Sequence, residues 1–151
     1  MGTRLHTHSL PYTPEQLYDL VADIEKYPEF LPWCKRARIL SKSETEIVAD
    51  LSVGYTFFQE TFRSRVHLSP KVRIEVDYIK GPFHHLKNQW DFKEGPNQGA
   101  TIDFFIDFQF KNSFFQRATQ AIFETAFDKM LDAFEKRAQQ LYGPKAKHEG
   151  Y

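Results

Sequence analysis

A chain of 151 residues with 20 Lys+Arg, 20 Asp+Glu and a single cysteine carries no formal net charge. That balance argues against a dedicated nucleic-acid binder and against DNA as a partner. One cysteine excludes an internal disulfide and fits a reducing compartment. No apolar run reaches the roughly 18 residues of a membrane-spanning helix. Met1 to Leu10 has no signal-peptide core. The expectation is a cytoplasmic protein, with any contact to the inner membrane peripheral. Aromatics make up 16% of the chain and Phe alone numbers 15. Such a surplus fits an aromatic core or an aromatic-lined cavity, and composition alone favours the core.

Thr3 to Leu10 reads as a short strand ended by Pro11. Thr13-Pro14-Glu15 is a helix start, with Thr as N-cap, Pro at the first position and an acid in the first turn. Leu17, Leu20, Val21 and Ile24 continue a short amphipathic helix, which Tyr27-Pro28 interrupts. The stretch Tyr27 to Cys34 (YPEFLPWC) is too apolar for a surface loop and too rich in proline for a long helix. It reads as a turn or helical turn lying against apolar surface. Strands follow at Ala37 to Ser41, Glu46 to Val53, Phe57 to Leu68, Val72 to Tyr78, Leu86 to Phe92 and Ile102 to Phe110. Turns are expected at Gly54-Tyr55, Ser69-Pro70, Gly81-Pro82 and Gly95-Pro96-Asn97. Apolar and polar residues alternate along these segments, the mark of an antiparallel meander with one wet face.

Ser113 to Tyr142 reads as one long helix, closed by Gly143-Pro144. A broad apolar face runs through Phe115, Ala118, Ile122, Ala126, Met130, Ala133 and Phe134. Phe114, Phe123, Phe127, Leu131, Ala138 and Leu141 flank it. A strongly curved sheet wrapped around this helix satisfies every apolar face at once, and a cavity between them is a natural by-product. The predicted fold class is therefore α+β, with six to seven antiparallel strands, two short helices after the first strand and a long C-terminal helix. Residues 1–143 form a single domain in this reading, and 144–151 a polar tail.

Three polar residues fall on the apolar sheet face: Glu60, Ser64 and Asn88. An unpaired buried carboxylate is costly, so Glu60 is expected at a rim, in a pair, or as a head-group contact inside the pocket. Catalytic and metal motifs are absent. His6 and His8 share a strand face, a spacing that can hold a metal, but lack a third ligand nearby in sequence. His84-His85 reads as a loop pair. Cys34 stands near Lys35 and Arg36, without an identifiable base. Lys35, Arg36 and Arg38, with Arg63 and Arg65, can form a basic patch facing anionic lipid or RNA phosphate, although a solvated charged face is the default.

The YPEFLPWC stretch resembles the signature of the coenzyme Q-binding protein family, within the START-like polyketide cyclase/dehydrase superfamily. Phe58 to Val66 (FQETFRSRV), Gly81-Pro82-Phe83, Trp90-Asp91-Phe92 and Asp107 to Phe110 are similar to it as well. The resemblance covers residues 3 to 142. It implies a helix-grip fold with an apolar tunnel and non-enzymatic binding of ubiquinone, or a similar isoprenoid lipid, by a carrier or chaperone that supports respiration. No cofactor is required, and ubiquinone is the expected ligand. The absence of a transit peptide points to a bacterial member. A similar bacterial branch, the ribosome association toxins, makes a ribosomal subunit the alternative partner, and a cyclase-type enzyme is a third reading. The pocket is expected to comprise Phe30, Leu31, Trp33, Phe58, Phe62, Trp90, Phe104, Phe108, Phe123, Phe127 and Met130. Glu60, Ser64 and Asn88 are the polar head-group candidates, and the YPEFLPWC turn is placed to act as a lid.

Overall fold

The computed structural model describes the backbone at residues 2–55, 58–111 and 113–143, and side chains at residues 3–54, 59–111 and 128–143. Seven strands form one antiparallel sheet: β1 (Gly2–Leu10), β2 (Cys34–Lys42), β3 (Glu46–Tyr55), β4 (Phe58–Ser69), β5 (Arg73–Lys80), β6 (Phe83–Glu94) and β7 (Ala100–Phe110). Their order is β1-β7-β6-β5-β4-β3-β2, so β2 through β7 make a meander and β1 adds to its far edge. Helix α1 (Pro14–Ala22) and a 3-10 turn (Ile24–Glu29) separate β1 from β2. Helix α2 (Ser113–Tyr142) follows β7. The curved sheet gripping a long C-terminal helix is the helix-grip α+β arrangement.

Local chemistry accounts for these elements. Thr13 caps α1: its hydroxyl accepts from the Gln16 N–H at 3.1 Å, and the Gln16 side chain accepts from the Thr13 N–H at 3.0 Å. This reciprocal capping box satisfies two donors that the helix start leaves open. Pro14 at the first helical position adds a preset backbone angle. On the sheet, Ile47 and Ala49 of β3, Val66 of β4 and Ile74 of β5 are nearly inaccessible, while Glu46, Asp50, Arg63 and Arg65 lie outward. Outward charges pair across strands. Arg63 grips Asp50 through two bonds of 2.7 and 3.1 Å, and Lys93 reaches Asp103 at 2.6 Å. Bulges interrupt pairing at Cys34/Arg36, Ile39/Ser41, Arg63/Ser64 and Phe83/His85. Bulges bend strands and increase twist.

Several expectations shift by a few residues. β2 begins at Cys34 rather than Ala37. Gly54 and Tyr55 are the end of β3, paired with Gln59 and Phe58, not a turn. Val72 lies in the turn before β5 and is 59% exposed. Leu141, counted with the helix stripe, is half exposed. At the β2 and β3 boundaries cross-strand pairing decides what local sequence leaves open.

The core has two parts. The larger joins α1, the 3-10 turn, Phe134 and Ala138 of α2 and one end of the sheet; it includes Leu17, Leu20, Val21, Leu31, Trp90 and Phe104. The smaller gathers Phe83, Leu86 and Phe108, with Phe62, Tyr78 and Phe110 around them. Phe83 stacks on Phe110 at 4.7 Å and meets Phe62 and Tyr78 edge-on at 5.6 Å each. Gly81 is required in the turn before it. Its φ is +146°, and a Cβ there would sit 2.6 Å from the Phe62 Cβ.

Candidate functional site

A cavity of about 230 Å³ lies between the inner face of the sheet and α2, bordering both parts of the core. α1 closes one end of it. Tyr18 of α1 packs edge-on against Phe92, and Lys71, in the β4–β5 turn at that end, binds Asp19 at 2.5 Å. Val21 and Ile24 form the inner surface there. At the opposite strand ends stand Val53, Gly54, Glu60, Pro82 and Phe110. Met130 and Phe134 contribute from α2.

Alternation along β4 places Glu60, Phe62, Ser64 and Val66 in turn along the cavity wall. Glu60 is exposed and forms part of the rim, which relieves its carboxylate of burial. Ser64 is only 4% exposed. It pairs across the sheet with Ala49 on β3 and Tyr78 on β5. Asn88 on β6 lies opposite Val76 of β5 and Ile106 of β7. Three polar atoms on this wall are buried without a hydrogen-bond partner: Ser64 Oγ, Asn88 Oδ1 and Trp33 Nε1. Native proteins leave few buried polar groups unsatisfied, so three around one cavity single it out.

Of the residues expected to line a pocket, Leu31, Trp33, Phe62, Trp90, Phe104, Phe108 and Met130 border this cavity, as do Glu60, Ser64 and Asn88. Phe30 does not. It turns away and packs edge-on against Phe134 at 5.1 Å, with the Arg137 guanidinium 5.1 Å from its ring centre. The side chains of Phe58, Phe123 and Phe127 lie outside the described residues. Sequence reasoning overlooked the indole N–H of Trp33. The signal was present, since a buried Trp needs a partner for its one donor. It also overlooked Val53, Pro82, Phe83 and Ile106, whose inward direction follows from strand boundaries rather than composition.

The YPEFLPWC stretch is tied down. The Tyr27 hydroxyl donates to the Val21 carbonyl, and its ring meets Phe134 edge-on at 5.6 Å. Burial holds that phenol far above its usual pKa. Arg137 donates to Glu29 at 2.7 Å and holds its carboxyl below the usual range. On the other side of the stretch the Gly54 N–H donates to the Trp33 carbonyl at 2.9 Å. Cys34 is 3% exposed, and burial pushes its thiol up to about 11. A thiol this far from ionising is a poor nucleophile.

The remaining candidates sit elsewhere. His8 approaches Glu135 of α2 at 3.3 Å, and His6 lies beside it with ring centres 5.8 Å apart. His85 pairs with Asp107 at 3.2 Å on the outer face. No cluster of three metal-ligating side chains occurs among the described residues. Lys35, Arg36 and Arg38 are exposed on β2, whereas Arg63 and Arg65 are engaged by Asp50 and Glu46. No helix among the described residues is long and apolar enough to cross a membrane.

A seven-stranded sheet closed over a long helix, with an apolar cavity between them, defines a START-like helix-grip protein. The chain belongs to the family described as polyketide cyclase / dehydrase and lipid transport, which matches residues 10–135. It is 38% identical over 140 residues to the ribosome association toxin RatA of Rickettsia prowazekii, covering 90% of this chain and 95% of that one. It is 33% identical over 138 residues to the mitochondrial coenzyme Q-binding protein COQ10 homolog B of Xenopus laevis, covering 89% of this chain and 57% of that one. Among solved structures, a START superfamily protein from Mycobacterium smegmatis superposes with a TM-score of 0.78 at 17% identity, covering 92% of this chain and 98% of the other. That likeness concerns the fold alone.

Proposed function

We propose that this protein binds ubiquinone, or a similar isoprenoid lipid, in the cavity under α2 and acts as a non-enzymatic carrier or chaperone supporting respiratory electron transport. The observation that carries this reading is the cavity wall, which is apolar except for a few buried polar atoms that lack partners. Apolar surface gains about 25 cal/mol per Å² on leaving water, so an isoprenoid chain supplies the affinity. Ser64, Asn88 and Trp33 supply hydrogen bonds for a ring. The name of the Xenopus relative supports the same ligand.

At about 230 Å³ the cavity is smaller than the roughly 300–1,000 Å³ of a typical drug-sized pocket. It suits a ring and the first part of a tail. The rest of a long tail emerges among the apolar residues of the mouth, where a membrane surface can cover it. Peripheral membrane contact belongs to this reading for that reason. Chemistry on the ligand is disfavoured by the wall itself. Tyr27 and Glu60 are its titratable groups among the described residues, and the Tyr27 hydroxyl is already engaged. A cyclase needs a positioned acid and base. No dedicated cofactor is called for.

The deciding experiment extracts the protein, purified from its own cells, with organic solvent and identifies the lipid by mass spectrometry. Co-purified quinone is the expected result. If no lipid is recovered and added quinone fails to quench the fluorescence of Trp33 and Trp90, the reading is wrong.

A second reading is binding to a ribosomal subunit so as to block subunit association. It is favoured by the exposed Lys35, Arg36 and Arg38 on β2 and by the names of relatives such as the Rickettsia protein. Free basic side chains supply salt-dependent affinity for RNA phosphate. Here the surface matters and the cavity does not. An unchanged ratio of free subunits to monosomes in sucrose gradients after overexpression would remove it.

A further inference from the structure

We propose that the open end of the cavity is a docking face for an anionic lipid bilayer, on which the protein settles mouth-first to take up or release its ligand. This rests on the lipid-binding reading above and names the surface on which that exchange takes place. Exposed basic side chains stand on both sides of the mouth. On one side β5 ends at Lys80, and the Gly81-Pro82 turn follows. The Lys111 N–H donates to the Pro82 carbonyl at 2.9 Å, so Lys80 and Lys111 flank Pro82 of the cavity lining. On the other side the Trp33 carbonyl accepts from the Gly54 N–H, and Lys35 and Arg36 follow at the start of β2. All four are exposed, and none forms an ion pair with a described residue. Lys80 lies near Asp50, but Arg63 already grips that carboxylate through two bonds. Among the described residues Glu60 is the carboxylate of the rim. Asp107, further from the mouth, is held by Thr3 and His85.

The closed end has the opposite character. Glu15, Asp23, Glu44 and Glu94 are exposed there. Its cations are held by carboxylates: Lys71 by Asp19, Arg73 by Asp91 and Lys93 by Asp103, with Lys42 the exception among the described residues. Unpaired positive charge at one end and unpaired negative charge at the other turn the molecule mouth-first in the field of a negative surface. An anionic bilayer attracts each basic side chain that comes within about a Debye length of it. Charge alone would suit RNA phosphate equally. The lip decides between them. The four cations surround an opening instead of following one strand, and the opening is apolar: Pro32 is exposed, and Trp33, Pro82 and Phe110 are half-buried around it. Basic groups around apolar and aromatic ones match headgroups and acyl chains together. RNA makes no use of the lip.

The test is co-sedimentation of the whole protein with vesicles of equimolar phosphatidylcholine and phosphatidylglycerol, against vesicles of phosphatidylcholine alone. Binding should need the anionic lipid and weaken as salt rises. Lys80→Glu and Lys111→Glu should each weaken it by about fivefold or more, since one basic side chain near such a surface contributes roughly that factor. Lys42→Glu makes the same change in net charge at the closed end and should bind like the parent protein. Circular dichroism confirms that each variant is folded. Equal binding to neutral vesicles, equal losses in all three variants, or no loss at Lys80 and Lys111 would each overturn the proposal. So would binding to ribosomal RNA, and not to vesicles, with the same charge dependence. Quinone binding is followed separately, by tryptophan fluorescence without vesicles. If quinone binds and vesicles do not, the docking face alone falls. If vesicles bind and quinone does not, the docking face stands and the quinone reading falls.

Discussion

Ser64 is a polar residue whose burial is not offset by a hydrogen bond. Its hydroxyl is buried and has no hydrogen-bond partner among the described residues. Removing a buried unsatisfied group relieves a desolvation cost. Ser64→Ala should therefore stabilise the protein by about 1 kcal/mol in urea denaturation, and on the quinone-binding reading it should weaken ligand binding. A loss of stability would mean that the hydroxyl is satisfied in solution. Cys34 is legible in the opposite way. Its buried thiol titrates near 11 instead of its ordinary value of 9.0. A folded pKa raised above the unfolded one means the folded state holds its proton longer. The associated stability is complete below pH 9 and is lost between about 9 and 11. A dithiobis-nitrobenzoate assay at pH 8 should find Cys34 unreactive until denaturant is added, and Cys34→Ala should flatten the alkaline decline.

Among the elements, the 3-10 turn and the C-terminal half of α2 form a unit. Arg137 binds Glu29 and covers Phe30, while Tyr27 and Phe30 both pack on Phe134. This end of the YPEFLPWC stretch is clamped, while the Gly54 N–H bond to the Trp33 carbonyl ties the other. Arg137→Ala removes the ion pair and the guanidinium stacked on the ring together. Hydrogen exchange at the Phe30 and Leu31 amides, which donate to the Tyr27 carbonyl at 3.1 and 2.9 Å, should then accelerate. Amides in β6 and β7 should not change. Uniform acceleration across the sheet would show that Arg137 supports the whole fold rather than this clamp.

For the molecule as a whole, the cavity and the basic strand β2 separate the two functional readings. Ala49 is 2% exposed, lines the cavity and faces Ser64 across β3 and β4. Ala49→Phe should fill the space. Overpacking of this kind costs roughly 1–3 kcal/mol, so its folding is checked first by circular dichroism and thermal melting. The filled variant should lose quinone binding. If the ribosomal reading holds, the same variant keeps its effect on subunit profiles, and neutralising Lys35, Arg36 and Arg38 abolishes that effect. The reverse pattern, profiles altered by Ala49→Phe alone, would tie any ribosomal effect to the cavity.

Apolar periodicity placed the seven strands to within a few residues, and helix start and stop residues gave the α1 start at Thr13-Pro14 and the extent of α2. Two-residue and near-four-residue repeats of apolar side chains are local properties, visible without neighbours. The same alternation put Glu60, Ser64 and Asn88 on the inner face. Which of them is buried was not local: Glu60 and Ser64 share a strand and a face, yet one is exposed at the rim and the other sealed. That difference depends on how far each lies from the strand ends and on what α1 and α2 cover. Phe30 and Trp33 show the same limit. Three residues apart in one apolar stretch, they read alike, but Phe30 lies against Arg137 outside the cavity and Trp33 brings its N–H to the wall. The sequence by itself determined the elements and their apolar faces, because these follow from backbone geometry and hydrophobic pattern. Only the tertiary structure decided where packing stops short and which polar atoms are left facing the gap, because both depend on surfaces far apart in the chain.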